Sequence, residues 1–250
     1  MKGIIIACFI SLLIVFDAFA EKKEPGVKQR NDIMATLSCF AYGYKVSVKI
    51  SGVATSIKGG KSESIRLFNK DHEMMQSASP EMRKLFILKS GENRIQVEFK
   101  KTGKAIDRLT LSLEIENYPA PVFLLYSAKK PEGKINKVVI IEKNVPTNFK
   151  PVYFSDEGEN RSAFVHVSSM DAAVTPFLNG VRGMTLSGMP GSIPLDGVKP
   201  GKNQLVIKYT ASPQAGRFKF AVVTPEWVKF FNRNITDQSE KEETFSFNVK

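Results

Sequence analysis

Apolar and polar residues alternate along most of this chain, and a period of two is the side-chain period of a strand with one buried face. Tyr44-Lys45-Val46-Ser47-Val48-Lys49-Ile50 and Arg94-Ile95-Gln96-Val97-Glu98-Phe99 follow it without a break. So does Arg108-Leu109-Thr110-Leu111-Ser112-Leu113-Glu114-Ile115, with its four aliphatic residues on one face. Strands buried on one side belong to antiparallel sheets, so the expected fold is all-β. Helix starts are few. Ser79-Pro80-Glu81-Met82 and Thr224-Pro225-Glu226-Trp227 each combine a capping residue, a proline and an early acid, and predict one or two helical turns. The run Trp227-Val228-Lys229-Phe230-Phe231 reads equally as strand, and Phe245-Ser246-Phe247-Asn248-Val249 reads as a closing strand.

The alternation also repeats at long range. Lys89-Ser90-Gly91-Glu92-Asn93-Arg94-Ile95-Gln96-Val97-Glu98-Phe99 aligns without a gap on Lys199-Pro200-Gly201-Lys202-Asn203-Gln204-Leu205-Val206-Ile207-Lys208-Tyr209. At the same offset Phe68-Asn69-Lys70 falls on Leu178-Asn179-Gly180, which makes Asn69-Lys70 a weaker counterpart of the Asn-Gly hairpin signal. With small shifts, Val46-Ser47-Val48 meets Val165-His166-Val167 and Leu109-Thr110-Leu111 meets Phe218-Lys219-Phe220. Two tandem antiparallel β-sandwich domains related by an internal repeat follow. The Pro-, Asn- and acid-rich stretch from Lys143 to Asn160 places their boundary near 155, giving domains at 21–154 and 155–250. The first domain carries an expected extra hairpin, Val122–Tyr126 to Lys137–Ile141 across Pro131-Glu132-Gly133-Lys134.

Residues 1–20 read as a cleavable signal peptide: Lys2, a short apolar run over 4–16, and Ala18-Phe19-Ala20 ahead of charged Glu21-Lys22-Lys23-Glu24. The run is too short for a transmembrane anchor. Cys8 lies near its start, away from the position a lipidated cysteine takes. The expected location is therefore exported, periplasmic or extracellular. Cutting after Ala20 leaves Cys39 as the sole cysteine, so no internal disulfide can form and packed apolar surface must hold the fold. The formal net charge of +11 loses one Lys and one Asp in the cut and stays the same. For an exported chain that charge points to an envelope glycan, lipid headgroups or an acidic envelope protein as partner and makes nucleic acid an unexpected one, while solubility alone accounts for it equally well.

Few residues offer catalytic chemistry. His166 alternates with valines in an expected strand and is placed on its solvent side, with no triad partner identifiable. Asp71-His72-Glu73 is a weak metal candidate because neighbours on extended chain point to opposite faces. Ser56-Ile57-Lys58-Gly59-Gly60-Lys61-Ser62 ends like a phosphate loop but has Thr55 where that loop needs glycine, so Gly59-Gly60 reads as a turn. Asn160-Arg161-Ser162 and Asn234-Ile235-Thr236 match the glycosylation acceptor pattern, which matters only in a eukaryotic secretory route. No enzyme activity, cofactor or metal is expected.

Phe177-Leu178-Asn179-Gly180 followed by Ile193-Pro194-Leu195-Asp196-Gly197-Val198-Lys199-Pro200-Gly201-Lys202-Asn203-Gln204-Leu205-Val206-Ile207 resembles the pattern of galactose-binding-like and immunoglobulin-like bacterial β-sandwich modules, with partial likeness over 67–99. The resemblance implies a scaffold whose members often bind carbohydrate or stand beside enzymes. The expected function is a non-enzymatic envelope binding protein that contacts an anionic glycan or other envelope component. Its expected binding residues are Arg182, Trp227, Phe230 and Phe231. The alternative is a periplasmic assembly factor or chaperone that captures a protein client at a strand edge.

Overall fold

The computed structural model describes residues 32–103, 108–127, 129–169, 171–213 and 217–249; the signal-peptide region lies outside them. The described chain is all-β. In order, the first strands are β1 (Met34–Tyr42), β2 (Tyr44–Ile50), β3 (Val53–Ala54), β4 (Ser62–Phe68), β5 (Gly91–Lys101), β6 (Arg108–Ile115), β7 (Phe123–Ser127), β8 (Glu132–Ile141), β9 (Val152–Ser155) and β10 (Gly158–Glu159). They are followed by β11 (Ala163–Val167), β12 (Ala172–Leu178), β13 (Val181–Arg182), β14 (Leu186–Ser187), β15 (Gly191–Leu195), β16 (Gly201–Ala211), β17 (Arg217–Val223), β18 (Val228–Asn234) and β19 (Lys241–Val249). Among the described residues no helix is long and apolar enough to cross a membrane.

Among the described residues the named helical elements are a 3₁₀ turn at Glu73–Met75 and α1 (Pro80–Arg83). The second starts as its sequence predicts, with Pro80 in the first turn and the Ser79 hydroxyl accepting from the Met82 amide. The helix expected after Thr224 is absent. The Thr224 amide and hydroxyl both donate to the Trp227 carbonyl, at 2.9 and 2.8 Å, and close a tight turn that leads into β18.

Two pairs of sheets result. The first pair has strand orders β10-β9-β7-β6-β1-β4 and β3-β2-β5-β8; the second has β15-β11-β17-β18 and β13-β12-β16-β19, with β14 against β12. Each pair encloses its own apolar core, one built around Leu37, Tyr44, Val97, Leu111 and Phe123, the other around Val165, Leu205, Phe218, Phe220 and Phe247. Strand for strand the two orders agree: β4-β1-β6-β7 corresponds to β15-β11-β17-β18, and β3-β2-β5-β8 to β13-β12-β16-β19. The first pair alone extends past β7, where β9 adds in parallel, Leu124 opposite Tyr153. β7 and β8 enter different sheets, so the hairpin expected across Pro131–Lys134 is instead a crossing between sheets.

The shared Lys-x-Gly-x-Asn frame has one geometry in both places. Gly91 and Gly201 have φ of 91° and 82°, open to glycine and strained for other residues. The Asn93 amide then folds back, donating to the Lys89 and Gly91 carbonyls at 2.7 and 3.1 Å while its oxygen accepts from the Lys89 amide at 2.9 Å. Asn203 repeats these bonds to Lys199 and Gly201 at the same distances. Both asparagines are fully buried, and hydrogen bonding is what makes that burial tolerable.

The partner of each frame corrects the sequence alignment. Asn179-Gly180 turns with φ of 51° and 81°, and the Asn179 amide side chain donates to Asn203 at 3.0 Å. Ser51-Gly52 turns with φ of 49° and 85°, and the Ser51 hydroxyl donates to Asn93 at 3.3 Å. The positional counterpart of Asn179 is therefore Ser51. Asn69 makes no such turn: it is buried at the end of β4, where its oxygen accepts from the Ile33 amide. Likewise β11, which carries Val165-His166-Val167, corresponds to β1 and not to β2.

The outer face of the sheet carrying β7 meets that of the sheet carrying β11. Leu124, Tyr126 and Tyr153 pack against Phe164 and Val223, with the Tyr153 and Phe164 rings 4.9 Å apart. The described residues form one compact unit.

Candidate functional site

Among the expected binding residues, Trp227, Phe230 and Phe231 lie together and Arg182 does not. β18 pairs with β17, Phe231 opposite Phe220 and Phe230 opposite Ala221, so the two phenylalanines face opposite sides. Phe231 turns to the core and stacks on Phe220 at 4.7 Å, and it also touches Phe245 of β19 at 5.0 Å. Trp227 leans on the same strand, 6.2 Å from Phe245 and 6.4 Å from Phe247. Phe230 points toward the first pair of sheets, 44% exposed and stacked with Phe149 at 6.2 Å. Arg182 stands on β13, at the other edge of its sheet from β19, its guanidinium 3.5 Å from the Thr185 hydroxyl.

The aromatic row therefore closes the mouth between β18 and β19. Lys229 lies over the Trp227 ring at 4.7 Å and Arg233 over Phe231 at 5.0 Å. Arg233 also grips Glu243 through two bonds of 2.7 Å, which pushes the guanidinium further up, and Glu243 accepts from the Tyr209 hydroxyl. The Glu226 carboxylate accepts from the Asn248 amide at 2.6 Å and ties the turn to β19. Two ring faces are thus covered by the chain's own cations, and a flat aromatic platform is not what these residues make. Lys229 and Arg233 were not singled out by sequence, and the signal that names them is the cation–aromatic alternation of Trp227-Val228-Lys229-Phe230-Phe231-Asn232-Arg233; Glu243 and Phe245 join the cluster from β19 and carry no such signal.

β18 ends its sheet, and among the described residues no strand pairs with its outer side. Its backbone amides and carbonyls there are the groups an added strand would bond. The corresponding side of β7 is filled by β9.

The groups considered for catalysis take structural positions. His166 is buried, correcting the solvent-side placement, because its face of the sheet lies against the other pair of sheets. Its Nδ1 is 3.0 Å from the Ser192 hydroxyl, and burial lowers its pKa to about 4. Cys39 is buried, and desolvation followed by the nearby Glu63 charge pushes its thiol up to about 12. His72 is buried too; its ring accepts from the Met74 amide and caps the 3₁₀ turn. At the loop that resembles a phosphate cradle, the Lys58 and Gly59 amides donate to Glu63 at 3.0 and 2.8 Å, so the chain's own carboxylate takes the anion position. Among the described residues no group of three or more His, Cys, Asp or Glu could hold a metal ion.

No protein-family model matches the chain, and neither the curated proteins nor the solved structures contain a match to it.

Proposed function

We propose that this chain is an exported, non-enzymatic binding protein that takes up an extended segment of an envelope protein along the outer edge of β18, and that its two sandwiches are copies of one unit. The observation that carries the reading is the asymmetry between equivalent strands. β7 carries β9 in parallel on its outer side, whereas β18 carries no strand there among the described residues. Addition of a strand to an exposed sheet edge draws affinity from backbone hydrogen bonds and specificity from alternate side chains. At β18 those side chains would meet Phe230 on one side and the Lys229–Trp227 pair on the other. A glycan stacked on Trp227 and Phe231 is the less favoured reading, because Lys229 and Arg233 already cover those rings.

The test places a photo-crosslinking residue at Asn232 on β18, and separately at Lys134 on β8, in the exported protein of its source cells. One predominant protein adduct at 232 that is missing at 134 is expected. No adduct at 232, or the same adducts at both positions, overturns the reading.

A further inference from the structure

The outer face of β1 holds a second feature, on the other pair of sheets and independent of β18. Ala35, Leu37, Cys39 and Ala41 point into the core, so Thr36, Ser38, Phe40 and Tyr42 point out. Outward positions on a solvated sheet face are ordinarily polar, as Thr36 and Ser38 are. Phe40 and Tyr42 break that rule. They are 41% and 40% exposed, and their rings meet edge-to-face at 4.7 Å.

What surrounds the pair is hydroxyl and cation. Phe40 stands between Ser62 of β4 and Thr110 of β6, and the Ser38 and Ser64 hydroxyls are 3.3 Å apart on the next row. Beyond them Arg66 lies opposite Thr36, with no ion pair among the described residues. The outward positions of β1 and β4 carry no acid; on β6 the half-buried Glu114 lies opposite Thr36, on the side away from Arg66, where its carboxyl accepts from the Ser112 hydroxyl and burial raises its pKa. Glu63 of β4 is directed away from them, its carboxylate held by the Lys58 and Gly59 amides. An aromatic pair, a hydroxyl row and a free guanidinium thus follow one another along the strand. Four residues separate the row of Phe40 from that of Arg66, about 13 Å of strand.

We infer that this strip binds an acidic oligosaccharide. The C–H face of a sugar ring is apolar and slightly electropositive, and it lies against the negative face of an aromatic ring. Ser38, Ser64 and Thr36 exchange hydrogen bonds with sugar hydroxyls, and the Arg66 fork takes a uronate carboxylate through two parallel bonds. The separation of the two ends requires a chain of several sugars.

The experiment titrates a galacturonate hexamer into mature protein, residues 21 to 250, at low and high salt, with a neutral maltohexaose and anionic phospholipid vesicles as comparison ligands. The hexamer is expected to bind more tightly than the neutral sugar and to weaken in salt. The Phe40→Ala, Tyr42→Ala double variant should bind at least about tenfold more weakly. Arg66→Gln should weaken binding about threefold to tenfold and flatten the salt dependence. All three side chains are outward, so melting temperature and crosslinking at Asn232 should stay unchanged. Absence of hexamer binding, equal affinity in the double variant, or preference for the vesicles overturns the inference, and none of these outcomes bears on β18.

Discussion

Asn203 illustrates how one buried polar residue can set a strand's entry. Its side chain satisfies the Lys199 amide and two carbonyls and also accepts from Asn179, so it links the turn before β16 to the hairpin after β12. Asn203→Ala leaves those groups buried and unpaired, and should lower the unfolding free energy in urea by about 2–3 kcal/mol. In the first sandwich the hairpin residue is Ser51, at φ 49°. Asn tolerates that conformation better than Ser, so Ser51→Asn should stabilise by about 0.5 kcal/mol in the same assay. His166 gives a pH signature. Its folded pKa of about 4 lies below the ordinary imidazole value of 6.5, because burial disfavours the charged ring. Below 6.5 the unfolded chain binds the extra proton, so stability is full above that pH and falls as pH drops toward 4. The loss should reach about 2 kcal/mol by pH 5. Burial raises the Glu114 pKa and acts in the opposite sense, so the comparison with His166→Gln isolates the histidine; an unchanged slope in that variant would exclude it as the source.

At the scale of elements, the period-two pattern made the strands legible, and β5 and β16 could be aligned because Gly and Asn mark a turn whose backbone demands them. The hairpins were harder. Ser51-Gly52 and Asn179-Gly180 share a backbone conformation that sequence identity does not report, while Asn69 has the right letter in a buried role. The segment with the 3₁₀ turn and α1 also separates β4 from β5 in the first sandwich, so a constant offset fails on its N-terminal side. Thr224-Pro225-Glu226 misled for a related reason: a capping threonine and a turn threonine offer the same hydroxyl, and pairing of β17 with β18 decided between them. The candidate site was legible only as a cluster of aromatics, because sheet edges are a property of topology. One element-level prediction concerns the turn after Ile57. A Cβ on Gly59 would lie 2.5 Å from the Tyr44 carbonyl oxygen at φ +77°, whereas one on Gly60 would meet open space at φ +80°. Gly59→Ala should therefore cost at least about 2 kcal/mol and Gly60→Ala about 1 kcal/mol, read from chemical denaturation midpoints. Equal effects would mean that the close approach is absent.

At the scale of the whole molecule, the two sandwiches are joined by side chains that would otherwise face water. Phe164 is fully buried between them, in contact with Tyr153. Its removal should cost about 3–5 kcal/mol and split one calorimetric unfolding transition into two. Two transitions in the unaltered protein would show that the junction does not couple them. The same assembly leaves the equivalent edges β7 and β18 in different states, and the proposed capture rests on that difference. Hydrogen–deuterium exchange of the protein, resolved to single amides over 123–125 and 228–234, tests it most directly. With one side of β18 bare, its outward amides should exchange much faster than those of Phe123 to Leu125 on β7, which is paired on both sides there. Uniform protection along β18 would mean that its outer edge is already occupied, and the strand-capture account would lose its site.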